Sequence, residues 1–294
     1  MSFFGKIFGS RKKIKPHDFS EVMKHREKLV VFLPSNLHTS LRLISVVSTL
    51  NAEFKEIYIF TSEYALPLFS KFKFATNLFY LCFSTEQPVF QKAVIINFSR
   101  QKTVTGFVKR CIQSTIIDIQ NQANLQFLPL PNDPVILMQR FCEFYDLKFA
   151  EQKLSLPFSP QDITITKQRF LQNRFPDFVL DIDEQFSSRT LEGLVKSFKQ
   201  NFSANIYFSD SIINTKDLIN VEAIKQKDLF DFYLLAASCD VFVTSKEDVA
   251  RLFGDLNIDC ILFGKQLDSR NVHSFVLNDI FKMKGYIQEK LKPR

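Results

Sequence analysis

Asp228-Leu-Phe-Asp-Phe-Tyr-Leu-Leu-Ala-Ala-Ser-Cys-Asp-Val-Phe-Val-Thr244 is the stretch on which the fold turns. Asp228–Ser238 reads as a helix whose first turn carries Asp228 and Asp231, where the helix dipole favours carboxylates. Asp240–Thr244 follows as a short apolar strand. Further on, Lys246–Phe253 reads as a helix with Gly254 as its stop, and Ile258–Phe263 as a strand ending at Gly264. Upstream, Phe178–Ile182 is a strand, Ser188–Gln200 a helix and Asn205–Phe208 a strand. Asn278 is placed to cap a closing helix, Ile280–Leu291. Strands separated by helices imply a parallel sheet with right-handed crossovers.

The same alternation fills the first half. Lys28–Leu33, Glu56–Thr61, Leu78–Phe83, Ala93–Phe98 and Thr115–Ile119 read as strands. Leu41–Leu50, Glu63–Lys71 and Arg100–Cys111 read as helices, and so does a run from Pro134 to Leu147 capped by Asn132 or Asp133. Residues 148–163 carry no usable period and read as a linker. The expectation is an α/β chain of two Rossmann-like, doubly wound parallel-sheet domains facing a cleft. A basic amphipathic N-terminal segment spans 1–27, the first domain 28–147 and the second 164–294.

Composition limits the chemistry. The 294 residues include 34 Phe, no Trp and only 7 Gly. Phosphate-cradling loops use glycine to bring the backbone close to the ligand, and after Gly9 the next glycine is Gly106. The net charge of +7 sits at the ends. Residues 1–30 hold eight cations against three anions, and residues 281–294 five against one, so the body is slightly acidic. A nucleic-acid-binding body would carry its own basic face, so no nucleic acid is expected. Cys82, Cys111, Cys142, Cys239 and Cys260 are odd in number and widely spaced, which points to free, buried thiols in a reducing compartment. No CxxC occurs, the four histidines form no i, i+4 pair, and no metal site is expected. No P-loop, GxSxG or HExxH occurs either.

No run of about 18 apolar residues suggests a membrane-spanning helix. The start is too short and interrupted for a signal peptide. A cytoplasmic location is expected, with peripheral attachment to the inner face of the membrane as one form of it. Phe3, Phe4, Ile7 and Phe8 share one helical face beside Arg11, Lys12 and Lys13. Such a segment can lie on an anionic membrane surface, or dock on the protein's own surface or on a partner protein.

The order of these elements resembles the GT-B glycosyltransferases of the heptosyltransferase type (glycosyltransferase family 9) over roughly residues 28–291. The likeness rests on Lys28-Leu-Val-Val-Phe-Leu33 with its following helix, Glu56-Ile-Tyr-Ile-Phe-Thr61 with Ala65-Leu-Pro-Leu68, and Ala93-Val-Ile-Ile-Asn-Phe98 before a basic helix. In the second half it rests on Asp228–Thr244 and on Asp255-Leu-Asn-Ile-Asp-Cys-Ile-Leu-Phe-Gly264.

Two places depart from the family pattern. The resemblance implies a Gly-Asp pair after the first strand, the Asp serving as general base; His38 and Thr39 stand there. His38 is thus the one catalytic candidate, against the alternative of a solvated loop histidine. The resemblance also implies Asp-Ser-Gly-Pro-x-His at the nucleotide site, where this chain has Ser245-Lys-Glu-Asp-Val-Ala-Arg251. Glu247 and Asp248 oppose a phosphate at that helix start, and Lys246 and Arg251 could offset them. Ser245, Lys246, Arg251 and Gly264 are therefore the nucleotide-site candidates. Asp181, Asp183 and Glu184 could bind a divalent cation or form a solvated acidic loop.

Three hypotheses remain. One is a GT-B-like protein without sugar-nucleotide chemistry and without a cofactor, acting as a membrane-peripheral or partner-binding scaffold. Another is a divergent glycosyltransferase moving a sugar from a nucleotide-sugar donor to a cell-envelope glycan or lipid, with Asp181 or Asp210 as its carboxylate. The third is a different Rossmann-like ligand-binding protein.

Overall fold

The computed structural model describes residues 27–292 except 73–74, 85, 112–113, 119–132, 145, 152–158, 172–173, 184–185, 210–220, 270 and 277–278. The readings placed on Phe3, Phe4, Ile7, Phe8, Arg11, Lys12, Lys13, Asn132, Glu184, Asp210 and Asn278 lie outside the described residues.

In the first half the order is β1 (Lys28–Phe32), α1 (Leu37–Val47), β2 (Glu56–Thr61), α2 (Leu66–Phe69), β3 (Leu78–Cys82), β4 (Ala93–Asn97), α3 (Lys102–Val108), β5 (Thr115–Asp118) and α4 (Pro134–Phe144). The second half runs α5 (Pro160–Phe170), β6 (Asp177–Asp181), α6 (Ser188–Phe202), β7 (Asn205–Phe208), β8 (Glu222–Ala223), α7 (Leu229–Ser238), β9 (Val241–Thr244), α8 (Glu247–Asp255), β10 (Cys260–Phe263), β11 (Val272–Phe275) and α9 (Ile280–Lys290). Two sheets form, ordered β3-β2-β1-β4-β5 and β11-β10-β9-β6-β7-β8, and every pairing in them is parallel. This is the expected pair of Rossmann-like α/β domains. Central strands are apolar along their length because helices cover both faces; β4 is buried at all five positions.

Several local readings need correction. The first helix begins at Leu37, not Leu41, because the Asn36 side chain accepts the Thr39 N–H at 2.8 Å and caps it. His38 therefore lies in a helical turn rather than a loop. Gly254 is inside α8, not its stop. The stop is Asn257, at φ 61°, where Ile258 N–H bonds Phe253 O (2.8 Å) and Asn257 N–H bonds Gly254 O (3.0 Å). These are the paired bonds of a Schellman ending, with the left-handed residue supplied by Asn. Within 148–163, helix α5 begins at Pro160, held by reciprocal bonds between Ser159 and Asp162. Strands β8 and β11 were not expected. All five cysteines are free; Cys82, expected to be buried, is exposed at the end of the edge strand β3.

The two halves share one apolar core. A single cluster runs from Leu29 and Ile44 through Leu229 and Phe253 to Leu262, with α1 packed on α8 and α2 on α7. Leu229 N–H bonds Tyr64 O at 3.0 Å across the boundary, and the Lys71 ammonium lies 4.8 Å from the Phe230 ring centre.

Candidate functional site

Strand order fixes where a ligand could sit. In an open parallel sheet the crevice lies at the carboxyl ends of the two strands from which the chain departs in opposite directions. These are β1 and β4 in the first sheet, and β9 and β6 in the second.

The β6/β9 crevice holds Ser245 and Lys246, and it is occupied by the chain itself. Asp181, whose side chain is 2% exposed, accepts the Lys246 ammonium at 2.7 Å. The Thr244 hydroxyl donates to Asp181 Oδ2 at 2.9 Å and the Ser209 hydroxyl to Oδ1 at 3.1 Å. Burial pushes the Asp181 carboxyl above the ordinary carboxylate range, while the Lys246 charge and these three hydrogen bonds pull it down. Ser245 is fully buried, and its Oγ accepts the Asp183 N–H at 2.7 Å. Arg251 turns back on its own helix, donating to Glu247 Oε1 at 2.8 and 3.0 Å. Gly264 has φ +86°, and a Cβ placed there would lie 2.8 Å from the Phe186 ring. Ser245 and Lys246 thus meet at one crevice, Arg251 faces along α8, and Gly264 closes β10 under Phe186. Among the described residues no cluster of His, Cys, Asp or Glu is arranged to hold a metal ion.

His38 faces the second domain. Its Nε2 lies 2.9 Å from Asp255 Oδ2, at the far end of α8 from Lys246. One turn along α1, Arg42 donates to Glu151 at 2.9 Å, and that bond foremost raises the guanidinium above its ordinary range. His38 is not among the residues lining the β1/β4 crevice.

That second crevice is a cleft of about 540 Å³. The half-buried Phe83 lines it above the buried Phe32 and Phe60, with Ser35, Thr61, Glu63, Arg100 and Gln101 also on the lining.

No protein-family model matches the sequence, and no curated protein sequence matches it. Solved structures match over nearly the whole chain. A glycosyltransferase family 9 protein from Veillonella parvula superposes with a TM-score of 0.62 at 8% identity, covering 90% of this chain and 96% of that one. The E. coli heptosyltransferase WaaC with ADP gives 0.56 at 10% identity, covering 90% and 100%. E. coli ADP-heptose lps heptosyltransferase II gives 0.54 at 13% identity, covering 90% and 98%. The fold is GT-B, heptosyltransferase-like. At these identities the likeness concerns the fold alone, so the site must speak for itself.

The sequence marks the β6/β9 crevice through Ser245 and Lys246, whereas its candidate beside β1, His38, lies outside the β1/β4 cleft, and the roles of three further residues carry little signal. Asp181 was considered for a cation or for catalysis, not as the partner of Lys246. Phe186 gave no signal. Arg100 had one, as a cation just beyond a strand at the switch point.

Proposed function

We propose that this GT-B-like protein carries out no sugar-nucleotide chemistry and acts as a scaffold, at an anionic membrane surface or for a partner protein. The observation that supports this is the Lys246–Asp181 ion pair in the β6/β9 crevice. An anionic ligand there would have to compete with a carboxylate already in place, and detaching the lysine would leave Asp181 buried and uncompensated. Glu247 and Asp248 in the first turn of α8 add repulsion. The basic segment carrying Phe3, Phe4, Ile7, Phe8, Arg11, Lys12 and Lys13 supplies the contact in this reading. Among the described residues no helix is long and apolar enough to cross a membrane.

Calorimetric titration with ADP-, UDP-, GDP- and CMP-linked sugars is expected to give no heat of binding; a micromolar response refutes the proposal. Co-sedimentation with anionic liposomes tests the surface contact. The intact chain should pellet and a chain lacking residues 1–15 should not; equal pelleting would remove the membrane from the proposal.

A second reading, a divergent active glycosyltransferase using a nucleotide-sugar donor, draws on the His38–Asp255 contact. A carboxylate that orients an imidazole is a recurring arrangement for a general base. The same titration decides between the two.

A further inference from the structure

The two crevices differ in how their polar groups are engaged. In the β6/β9 crevice Asp181, Thr244, Ser209, Ser245 and Lys246 are bonded to one another or to backbone. Around the β1/β4 cleft, the Ser35 and Thr61 hydroxyls, the Arg100 guanidinium and the Gln101 carboxamide have no bonding partner among the described residues. Two opposite charges, Arg100 and Glu63, and three neutral hydrogen-bonding groups thus line one cleft beside Phe83.

We propose that the β1/β4 cleft binds a small amphipathic carboxylate, its apolar or aromatic body against the half-buried Phe83 and its carboxylate on Arg100. The cleft's 540 Å³ lies in the range of small-molecule pockets. Phe60 stacks on Phe32 at 4.7 Å between ring centres and Phe83 meets both edge-on, so the half-buried Phe83 rests on a packed aromatic layer. Arg100 offers the planar fork that pairs with a carboxylate. A phosphate dianion fits less well. Among the described residues Arg100 is the single cation on the lining, Glu63 on the same lining repels a dianion more than a monoanion, and no glycine occurs from Leu33 to Gln101 to let backbone amides wrap a phosphate. Ser35, Thr61 and Gln101 are placed to take hydroxyl or carbonyl groups on the body. The inference stands whether or not the other crevice takes a nucleotide.

The chain has no tryptophan, so indole fluorescence reports the ligand directly. Indole-3-propionate, its neutral primary amide, tryptamine and 1-naphthyl phosphate are titrated against the full chain by fluorescence anisotropy. The carboxylate should bind at least about tenfold tighter than the amide, as a charge-assisted bond to Arg100 requires, and tighter than the aryl phosphate; tryptamine should be weakest. Arg100→Gln, at an exposed position, should weaken carboxylate binding by at least about tenfold and abolish the preference for carboxylate over amide.

Cys82 supplies an independent readout. It is exposed on the lining, whereas Cys111, Cys142 and Cys260 are buried and Cys239 is half-buried. Burial pushes the Cys142, Cys239 and Cys260 thiols up to about 12. Bound indole-3-propionate should therefore slow alkylation of Cys82 in the native protein. Failure of every probe to bind, equal binding of acid and amide, tighter binding of the phosphate, no effect of Arg100→Gln, or an unchanged Cys82 rate would each overturn the proposal. A response to nucleotide sugars would refute the scaffold reading and leave this one standing.

Discussion

Replacing Lys246 by Met tests the ion pair on which the scaffold reading depends. The methionine keeps most of the aliphatic volume and removes the ammonium that sits 2.7 Å from Asp181. Asp181 would keep its bonds from Thr244 and Ser209 but lose its counter-charge at a side chain 2% exposed. Breaking a buried pair from one side destabilises by about 3–5 kcal/mol. Lys246 is 31% exposed, so the lower end, about 3 kcal/mol at pH 8, is expected. The double variant Asp181→Asn/Lys246→Met removes both charges and should lie within about 1 kcal/mol of the parent. The pH dependence has a definite sign. The Asp181 carboxyl is already raised, and losing Lys246 removes two of the influences that lower it. A carboxyl held above its unfolded value contributes stability when protonated, at low pH, and loses it as pH rises through the folded value. The deficit of Lys246→Met should therefore shrink from pH 8 to pH 5, by up to about 1.4 kcal/mol for each pH unit over which Asp181 titrates. Urea unfolding of parent, single and double variants at both pH values measures this. A deficit below about 0.5 kcal/mol at pH 8, or an equal deficit at both, would show that the crevice is open to water and would remove the argument against an anionic ligand.

Gly264→Ala should destabilise by about 1–3 kcal/mol through its left-handed backbone and its clash with Phe186; Phe186→Ala in the same chain should relieve the clash and not the backbone strain, and a double-mutant cycle by denaturant unfolding separates the two. His38→Ala should cost about 0.5–1.5 kcal/mol by removing the bond to Asp255. Because the apolar cluster is continuous between the halves, parent and His38→Ala should each unfold in one transition; two resolved transitions in the parent would contradict a shared core.

The strand and helix alternation was legible because each central strand is apolar on both faces and each helix has its own period. Asn205–Phe208 and Glu56–Thr61 come out residue for residue. The failures have local causes. Strand β8 is two exposed residues, Glu222 and Ala223, and β11 buries only Val272 fully, so neither carries a pattern above its surroundings. In α5 the run Ile163-Thr-Ile-Thr166 alternates like a strand, and the true signal was the cap formed by Ser159 with Asp162. The first-turn position of His38 followed from Asn36, a residue type that starts helices, and was obscured by expecting a loop where the resembled family has one.

The candidate site was legible only as an address. A lysine two residues past a strand reads the same whether it awaits an external anion or holds a carboxylate of its own chain. What separates the two is register. Strands β6 and β9 pair with Asp181 opposite Thr244, which brings the last residue of one strand beside the hydroxyl and ammonium that follow the other. Once β6 and β9 are taken as neighbours with matched ends, a strand ending in Asp beside one ending in Thr-Ser-Lys forms an internal pair. Sequence alone separates Lys246 from Asp181 by 65 positions and gives no reason to align them. The β1/β4 cleft shows the converse. There the residues past each strand, Ser35 and Arg100, are of types that cannot neutralise one another, and neither they nor Glu63 bond to another of the described residues. The same topology produces one crevice closed by its own charges and one open to a ligand, and the difference lies in which residues happen to end adjacent strands.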